Sequence, residues 1–274
     1  MKLLEGKKGL IFGISNNRSI AYSIAKACHD HGAQMAFAYS LPVESRVQKI
    51  ASELNAKAIY CCDVTKDEEI EAVFKNYQRD FGDTLDFLIH SVAFAQREDL
   101  TVRFSDLTRQ GWDIAMSVSA YSLIPIARLA RPLMMKKGGS IVTMTYLGGE
   151  RSVPNYNVMG VAKAALDANV RYLASEFGPD AIRVNAISAG PIKTLAAKGI
   201  SGFDLLYKIT EMRSPMKRNV SLEEVGNSGL YLVSDLSTGV TGEIHHVDCG
   251  YHSVATVRQD AKLAGVDPDA PQEQ

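Results

Sequence analysis

The sequence predicts a doubly wound α/β fold, a parallel sheet of about seven strands with helices on both faces. Three observations carry this. Short apolar runs alternate with longer stretches of helical period, which is the pattern of successive β-α-β units. Glycines and capping residues mark the boundaries between them. At 274 residues, 46% hydrophobic and 22% charged, the chain is long enough to bury one sizeable core.

The first strand is Lys8–Phe12. It runs into Gly13-Ile14-Ser15-Asn16-Asn17-Arg18-Ser19-Ile20-Ala21, a turn of small and polar residues that opens a helix over Ile20–His31. A helix N-terminus presents unpaired N–H groups and the positive end of its dipole to a pyrophosphate, and small residues let the backbone come close. The strict G-x-G-x-x-G pattern is not met, so alone the segment reads equally as a dinucleotide cradle or an ordinary strand-to-helix turn. Gly32 follows the helix where a left-handed C-cap suits glycine.

Gln34–Tyr39 is the second strand, and it ends on Ser40-Leu41. NAD-binding folds often carry an acid here for the ribose, and NADP-binding ones a basic residue. With neither present, the reading favours NADH over NADPH. Arg46, in the helix Val43–Leu54, is a candidate for a 2′-phosphate or a solvent-facing charge. The third strand, Ala58–Cys61, leads to Cys62-Asp63-Val64. Asp63 suits an acceptor for the adenine amino group or an N-cap for the helix Glu68–Phe81. The fourth strand, Phe87–His90, runs into Ser91-Val92-Ala93-Phe94-Ala95, whose small residues let a nicotinamide and its ribose lie against backbone. His90 reads as a satisfied buried histidine.

A helix over Gly111–Met135 precedes the fifth strand, Ser140–Thr145. The helix Asn157–Phe177 follows it and ends at Gly178, again a left-handed cap position. Arg183–Ile187 is the sixth strand. Ser221 and Glu224 form a capping box that opens the helix Leu222–Val233, and Ile244–Val247 is the seventh strand. Between Lys193 and Pro215 lies an insert holding Gly199, Gly202 and a weakly amphipathic segment around Phe203–Met212. It has no clear sheet role, and long inserts of that kind are often lids. We expect one domain over residues 1–257, including the insert at about 193–215, and a polar tail over 258–274.

A formal net charge of -1 and a pI near 6.6 offer a phosphate backbone nothing to bind, so no nucleic-acid partner is expected. The four cysteines, Cys28, Cys61, Cys62 and Cys249, contain no Cys-x-x-Cys pair and no partner histidines at metal spacing. This fits a reduced, metal-free compartment. The apolar run Gly9–Ile14 is too short for a signal sequence or a membrane span, so neither secretion nor membrane insertion is expected.

Beyond the fifth strand stands Thr145-Tyr146-Leu147-Gly148-Gly149. Tyr156 follows ten residues after Tyr146, and Lys163 seven residues later. Seven residues of helix return two side chains to nearly the same face, at about 100° per residue. With eleven tyrosines in the chain the pair alone is weak. Its place at the carboxyl edge of the sheet, where such folds bind ligands, gives it weight.

Several segments together carry a resemblance that covers nearly the whole chain. They are Ser-Asn-Asn-Arg-Ser-Ile-Ala-Tyr at 15–22, Cys62-Asp63-Val64, His90 to Ala95, the set Tyr146, Tyr156 and Lys163, and Ser188-Ala189-Gly190-Pro191-Ile192-Lys193-Thr194. The sequence resembles the bacterial NADH-dependent enoyl-acyl carrier protein reductases of the short-chain dehydrogenase/reductase superfamily. Gln96-Arg97 stand where relatives often have a different loop.

The resemblance implies a Rossmann-like fold and hydride transfer from NADH to the β-carbon of an enoyl thioester on acyl carrier protein. It implies that Gly13, Ser19, Ile20, Ser40, Asp63, Val64, Ser91, Val92, Lys163 and Ile192, Lys193, Thr194, Leu195 and Ala196 hold the dinucleotide. It implies that Ala95 lines the substrate site, and that Tyr156 and Lys163 do most of the catalytic work with Tyr146 beside them. It further implies a cytoplasmic homotetramer.

Such a reaction needs a donor for negative charge developing on the thioester oxygen. Tyr156 is the choice, since a tyrosine of ordinary pKa, about 10, is a donor at neutral pH. Lys163 would hold the nicotinamide ribose and add a charge effect. Tyr146 could contribute to catalysis or simply pack against the acyl chain. Met159 and Phe203, with Phe94, Pro191, Ile192, Leu195 and Ile200, provide apolar surface for that chain, with core packing as the alternative. The nearest rival, a ketone or ketoacyl reductase, needs Tyr-x-x-x-Lys, whereas Gly160 follows Tyr156 and Glu150 follows Tyr146 at that offset. A catalytically silent dinucleotide-binding regulator is the rival from another class.

Overall fold

Leu10 and Phe12 of the first strand join the core on one face of the sheet and Ile11 joins the core on the other, and all three are buried. Successive side chains of a strand point to opposite faces, so burial on both marks a strand covered on both sides. The same split recurs in the neighbouring strands, with Ala36 and Ala38 set against Met35 and Phe37, and Leu88 against Phe87 and Ile89.

The computed structural model describes residues 2–195, 197 and 202–256. Seven strands form one parallel sheet: β1 (Lys8–Phe12), β2 (Gln34–Tyr39), β3 (Ala58–Cys61), β4 (Phe87–His90), β5 (Gly139–Thr145), β6 (Ile182–Ala189) and β7 (Ile244–Val247). They lie in the order β3-β2-β1-β4-β5-β6-β7, parallel throughout. The order reverses between β1 and β4, and in such sheets the crevice outside the strands' carboxyl ends at that reversal is the ligand site.

The helices are α1 (Ile20–Asp30), α2 (Glu44–Glu53), α3 (Asp67–Phe81), α4 (Arg97–Thr101), α5 (Arg109–Met116), α6 (Leu123–Met134), α7 (Asn157–Phe177), α8 (Phe203–Arg213) and α9 (Leu222–Val233). Residues of α1, α2 and α9 pack into the core on one face, and residues of α3, α6 and α7 into the core on the other. Truncating a fully buried anchor such as Phe12 to alanine costs about 3–5 kcal/mol.

Four sequence expectations change. The single helix expected over Gly111–Met135 is α5 and α6 joined by one wide, π-type turn, Ser117–Tyr121. The cause is in its serines. Ser119 exchanges hydrogen bonds with the Phe94 backbone, and Ser122 lies 2.9 Å from His90 Nε2, so buried hydroxyls take tertiary partners where a uniform helix would misplace them. Gly178 is right-handed and begins a 3-10 turn, and the left-handed residue there is Ala181. Asp63 does not cap α3. Its carboxylate accepts from the Thr65 amide at 3.0 Å, and the N-cap position falls on Lys66. Finally, α4 is a helix where no element was expected, because four charged and polar residues around a single leucine carry no readable period. The capping box at Ser221 and Glu224 is present. Gly199, Ile200 and the tail over 258–274 lie outside the described residues.

Candidate active site

At the reversal point, Gly13 leaves β1 with φ +90, a left-handed conformation open to glycine. Its amide donates to Ala38 O at 3.0 Å, and a Cβ there would collide with the Ser91 carbonyl. The chain is therefore drawn in against β4, and a cleft of about 390 Å³ opens beside it. Gly13, Ser40, Asp63, Val64 and Val92 line that cleft, with Thr65, Phe94 and Val118 among the other residues of its wall. Five of the expected dinucleotide residues are thus gathered around one crevice. Hydrogen bonds from Thr65, its backbone amide first, hold the Asp63 carboxyl below its ordinary range, so it stands ready as an ionised acceptor.

Ser19 and Ile20 sit beyond this wall at the start of α1. Ser19 is the N-cap, its Oγ accepting from Tyr22 N at 3.2 Å, which fixes that end of the helix. Arg46 is exposed on α2. The four residues Ile192, Lys193, Thr194 and Leu195 leave the carboxyl end of β6. Lys193 Nζ lies 4.4 Å from the centre of the Tyr207 ring on α8, tying the insert to that edge. Ala196 lies outside the described residues.

His90 is fully buried between Thr143 Oγ1 at 2.8 Å and Ser122 Oγ at 2.9 Å. Burial, followed by the positive charge of Lys163, drives its pKa down to about 3, so it is a neutral structural side chain.

The catalytic candidates lie on one stripe. Tyr156 is the N-cap residue of α7, and Gly160, Lys163 and Asp167 follow at offsets of four, seven and eleven residues, the spacing of one helix face. The Leu147–Gly149 turn rests along that stripe. A Cβ on Gly160 would come within 2.8 Å of Gly148 O, and one on Gly148 within 2.5 Å of the Tyr156 ring. Both glycines are there for close approach. Tyr146, just ahead of the turn, meets Tyr156 edge to face, with ring centres 4.9 Å apart.

Burial raises Tyr156 well above the ordinary tyrosine range, with the Tyr146 and Asp167 charges adding to it. Tyr146 rises as well, through burial and then the charges of Tyr251 and Asp248. Both hydroxyls remain protonated donors at neutral pH, and the Tyr146 Oη is buried without a partner among the described residues. Lys163 is 4% exposed, and its Nζ donates to Met144 O at 2.7 Å. Burial lowers its pKa to about 8, opposed by Asp167.

A small apolar cluster stands beside Tyr156. Leu100, Ala115, Val158 and Met159 form it, with Ala95, Leu107 and Tyr156 packed against it. Of the expected substrate-site residues, Ala95, Tyr146, Tyr156 and Met159 are therefore neighbours. Phe203 is buried on α8 against Tyr207, at 6.1 Å between ring centres, with Leu205 exposed two residues on. Sequence reasoning missed Ser119, Val118, Asp167, Asp248 and Tyr251. Only the serine-rich run at 117–122 carried a signal that could have found one of them.

The family model for enoyl-(acyl carrier protein) reductase matches residues 13–252. Among curated relatives, the Rhizobium meliloti protein named enoyl-acyl-carrier-protein reductase (NADH) 1 is 51% identical over 260 residues, 94% of this chain and 95% of its own length. A Staphylococcus aureus enzyme, named as NADPH-dependent, is also 51% identical, over 92% of this chain and 98% of its own. The solved structure of the Anaplasma phagocytophilum reductase in complex with NAD superposes with a TM-score of 0.89 at 47% identity, covering 93% of this chain and 97% of that one. The cleft, the Tyr156 to Lys163 stripe and these matches agree, and the chain belongs to the enoyl-acyl carrier protein reductase family.

Proposed function

We propose that this protein reduces the double bond of a trans-2-enoyl thioester carried on acyl carrier protein, using NADH, in the elongation cycle of type II fatty acid biosynthesis. The observation that carries the reading is the Tyr156 hydroxyl, a protonated donor beside a small apolar cluster, in a fold whose strand reversal opens a crevice suited to a dinucleotide. Gly13, Ser19, Ile20, Ser40, Asp63, Val64, Ser91, Val92, Lys163 and the segment 192–196 hold the dinucleotide, and the tight Gly13 turn and ionised Asp63 fit such a guest. Bound NADH supplies a hydride that ends on the β-carbon of the enoyl group.

The chain's own residues do the rest. Tyr156 donates a hydrogen bond to the thioester oxygen as negative charge develops there, an interaction worth about 3 kcal/mol in a water-poor site. The Lys163 ammonium holds ribose hydroxyls and strengthens Tyr156 as a donor. Tyr146 fixes the Tyr156 ring edge-on. Ala95 and Met159 receive the acyl chain, and α8 with Phe203 closes over it as a lid. A ketoacyl reductase remains the weaker reading, since Gly160 occupies the place of its lysine.

One domain over 1–257 with a tail over 258–274, and a cytoplasmic homotetramer, complete the proposal. Exposed Tyr172, Trp112 and Ile124 on α5, α6 and α7 offer apolar surface for subunit contacts. Among the described residues no helix is long and apolar enough to cross a membrane. The test is isotopic: NADH deuterated at the transferred position, incubated with crotonyl thioester, should give butyryl thioester carrying one deuterium on the β-carbon. Unchanged crotonyl thioester after complete incubation would reject the assignment.

A further inference from the structure

Asp167 has no part in the chemistry above, yet it occupies the same stripe as the residues that do. It is 5% exposed, one turn beyond Lys163, beneath the Leu147–Gly149 turn. A Cβ on Gly149 would stand 2.9 Å from its Oδ2 and 3.0 Å from both Ala164 N and the Lys163 carbonyl carbon. The turn therefore seals the carboxyl from above, and its Oδ1 is buried without a partner among the described residues. Burial raises the Asp167 pKa above the usual carboxylate range, opposed first by the Thr145 hydroxyl and then by the Lys163 charge. A carboxylate in that position is costly unless a cation shares the pocket.

The charged and titratable groups that act on Asp167, Lys163 or their tyrosine neighbours come from four elements. β4 contributes His90, which is neutral. The end of β5 and the turn after it contribute Tyr146, a protonated phenol, and the exposed Glu150, which opposes ionisation of Asp167. The segment after β7 brings Asp248 and Tyr251 to bear on Tyr146. α7 itself contributes Tyr156, Lys163 and the exposed Arg171. Lys163 is the buried cation in this set, and Asp167 is the group that opposes the loss of its charge on burial.

We propose that Asp167 is a positioning residue: its sealed carboxylate is the counter-ion that keeps Lys163 an ammonium, held against the Met144 carbonyl. This rests on the role given to Lys163 under the proposed function, but its test does not. Asp167→Asn keeps shape and volume and removes the charge. In protein labelled with 15N at the lysine side chains, the Lys163 resonance, assigned by its loss in Lys163→Met, should titrate at a midpoint lower by about half a unit or more. The alkaline limb of kcat/KM with crotonyl thioester should move down with it, while activity near pH 6.5 stays within about threefold of the parent. Asp167→Glu should restore the midpoint in part, and Asp167→Ser supplies the same reading if the asparagine variant does not fold.

An unmoved Lys163 midpoint overturns the proposal, and so does a uniform loss of activity at every pH, which is what a purely structural role gives. A parent protein that binds NADH but reduces no enoyl thioester would reject the proposed function alone, because the lysine titration is read directly.

Discussion

Replacing Gly148 by alanine drives a methyl group into the Tyr146 and Tyr156 rings. The new carbon would lie 2.5 Å from Cδ1 and 2.8 Å from Cε1 of Tyr156, and 3.1 Å from Cδ1 of Tyr146. Ordinary contact begins near 3.4 Å, so the Tyr156 ring must withdraw by roughly 1 Å, and the packed cluster of Val158 and Met159 stands beside it. A hydroxyl misplaced by about 1 Å from its transition-state position costs on the order of 10²-fold in rate. Overpacking of this kind costs about 1–3 kcal/mol of stability, or a Tm lower by a few degrees in a chain of this size. Steady-state kcat with crotonyl thioester and saturating NADH measures the first effect, and thermal unfolding the second. A folded variant that turns over within about threefold of the parent would refute the claim that the Gly148 turn sets the Tyr156 donor.

Tyr156→Phe should lower kcat by about 10²-fold and leave NADH affinity within about twofold, whereas Lys163→Ala should weaken both, as read by NADH fluorescence titration. Equal cofactor affinity in the two variants would remove the binding role from Lys163. In the parent, kcat/KM should fall as pH rises through about 8, because the Lys163 ammonium that burial destabilises is the competent form and is lost above that value. Ser40→Asp, in the lining of the cleft proposed for the dinucleotide, should cut use of NADPH relative to NADH by about tenfold through repulsion of the 2′-phosphate. Ser221→Ala removes the capping box that opens α9 and should cost about 1 kcal/mol, a Tm drop of roughly 2–4 °C, with kcat unchanged.

The sheet was legible because its strands are short apolar runs buried on both faces, so each run stood out against the helices that flank it. Five of the seven strands match the expected bounds residue for residue, and the other two differ only at their ends. What the sequence concealed was tertiary in origin. Ser119 and Ser122 open the π-type turn by bonding to Phe94 and His90, partners about 25 and 32 residues away, and no local period records that. Tyr156 and Lys163 were visible through helical spacing and resemblance. Asp167 was not, since an aspartate amid alanines reads as a solvent-facing charge until Gly149 is seen to lie over it. Asp63 was read as a possible cap because Asp at a strand-to-helix junction commonly caps. Here the N-cap position falls three residues later, on Lys66, and the Asp63 side chain turns instead to Thr65.

The central claim is that the Tyr156 and Lys163 geometry serves an enoyl thioester rather than a ketone. Loss of reduced-nicotinamide absorbance should be followed with crotonyl thioester and with acetoacetyl thioester, each with NADH and with NADPH. The account predicts rapid oxidation of NADH with the crotonyl substrate and none above background with the ketoacyl one. Activity confined to the ketoacyl substrate would contradict it, and no activity with any pair would favour a silent dinucleotide-binding protein instead.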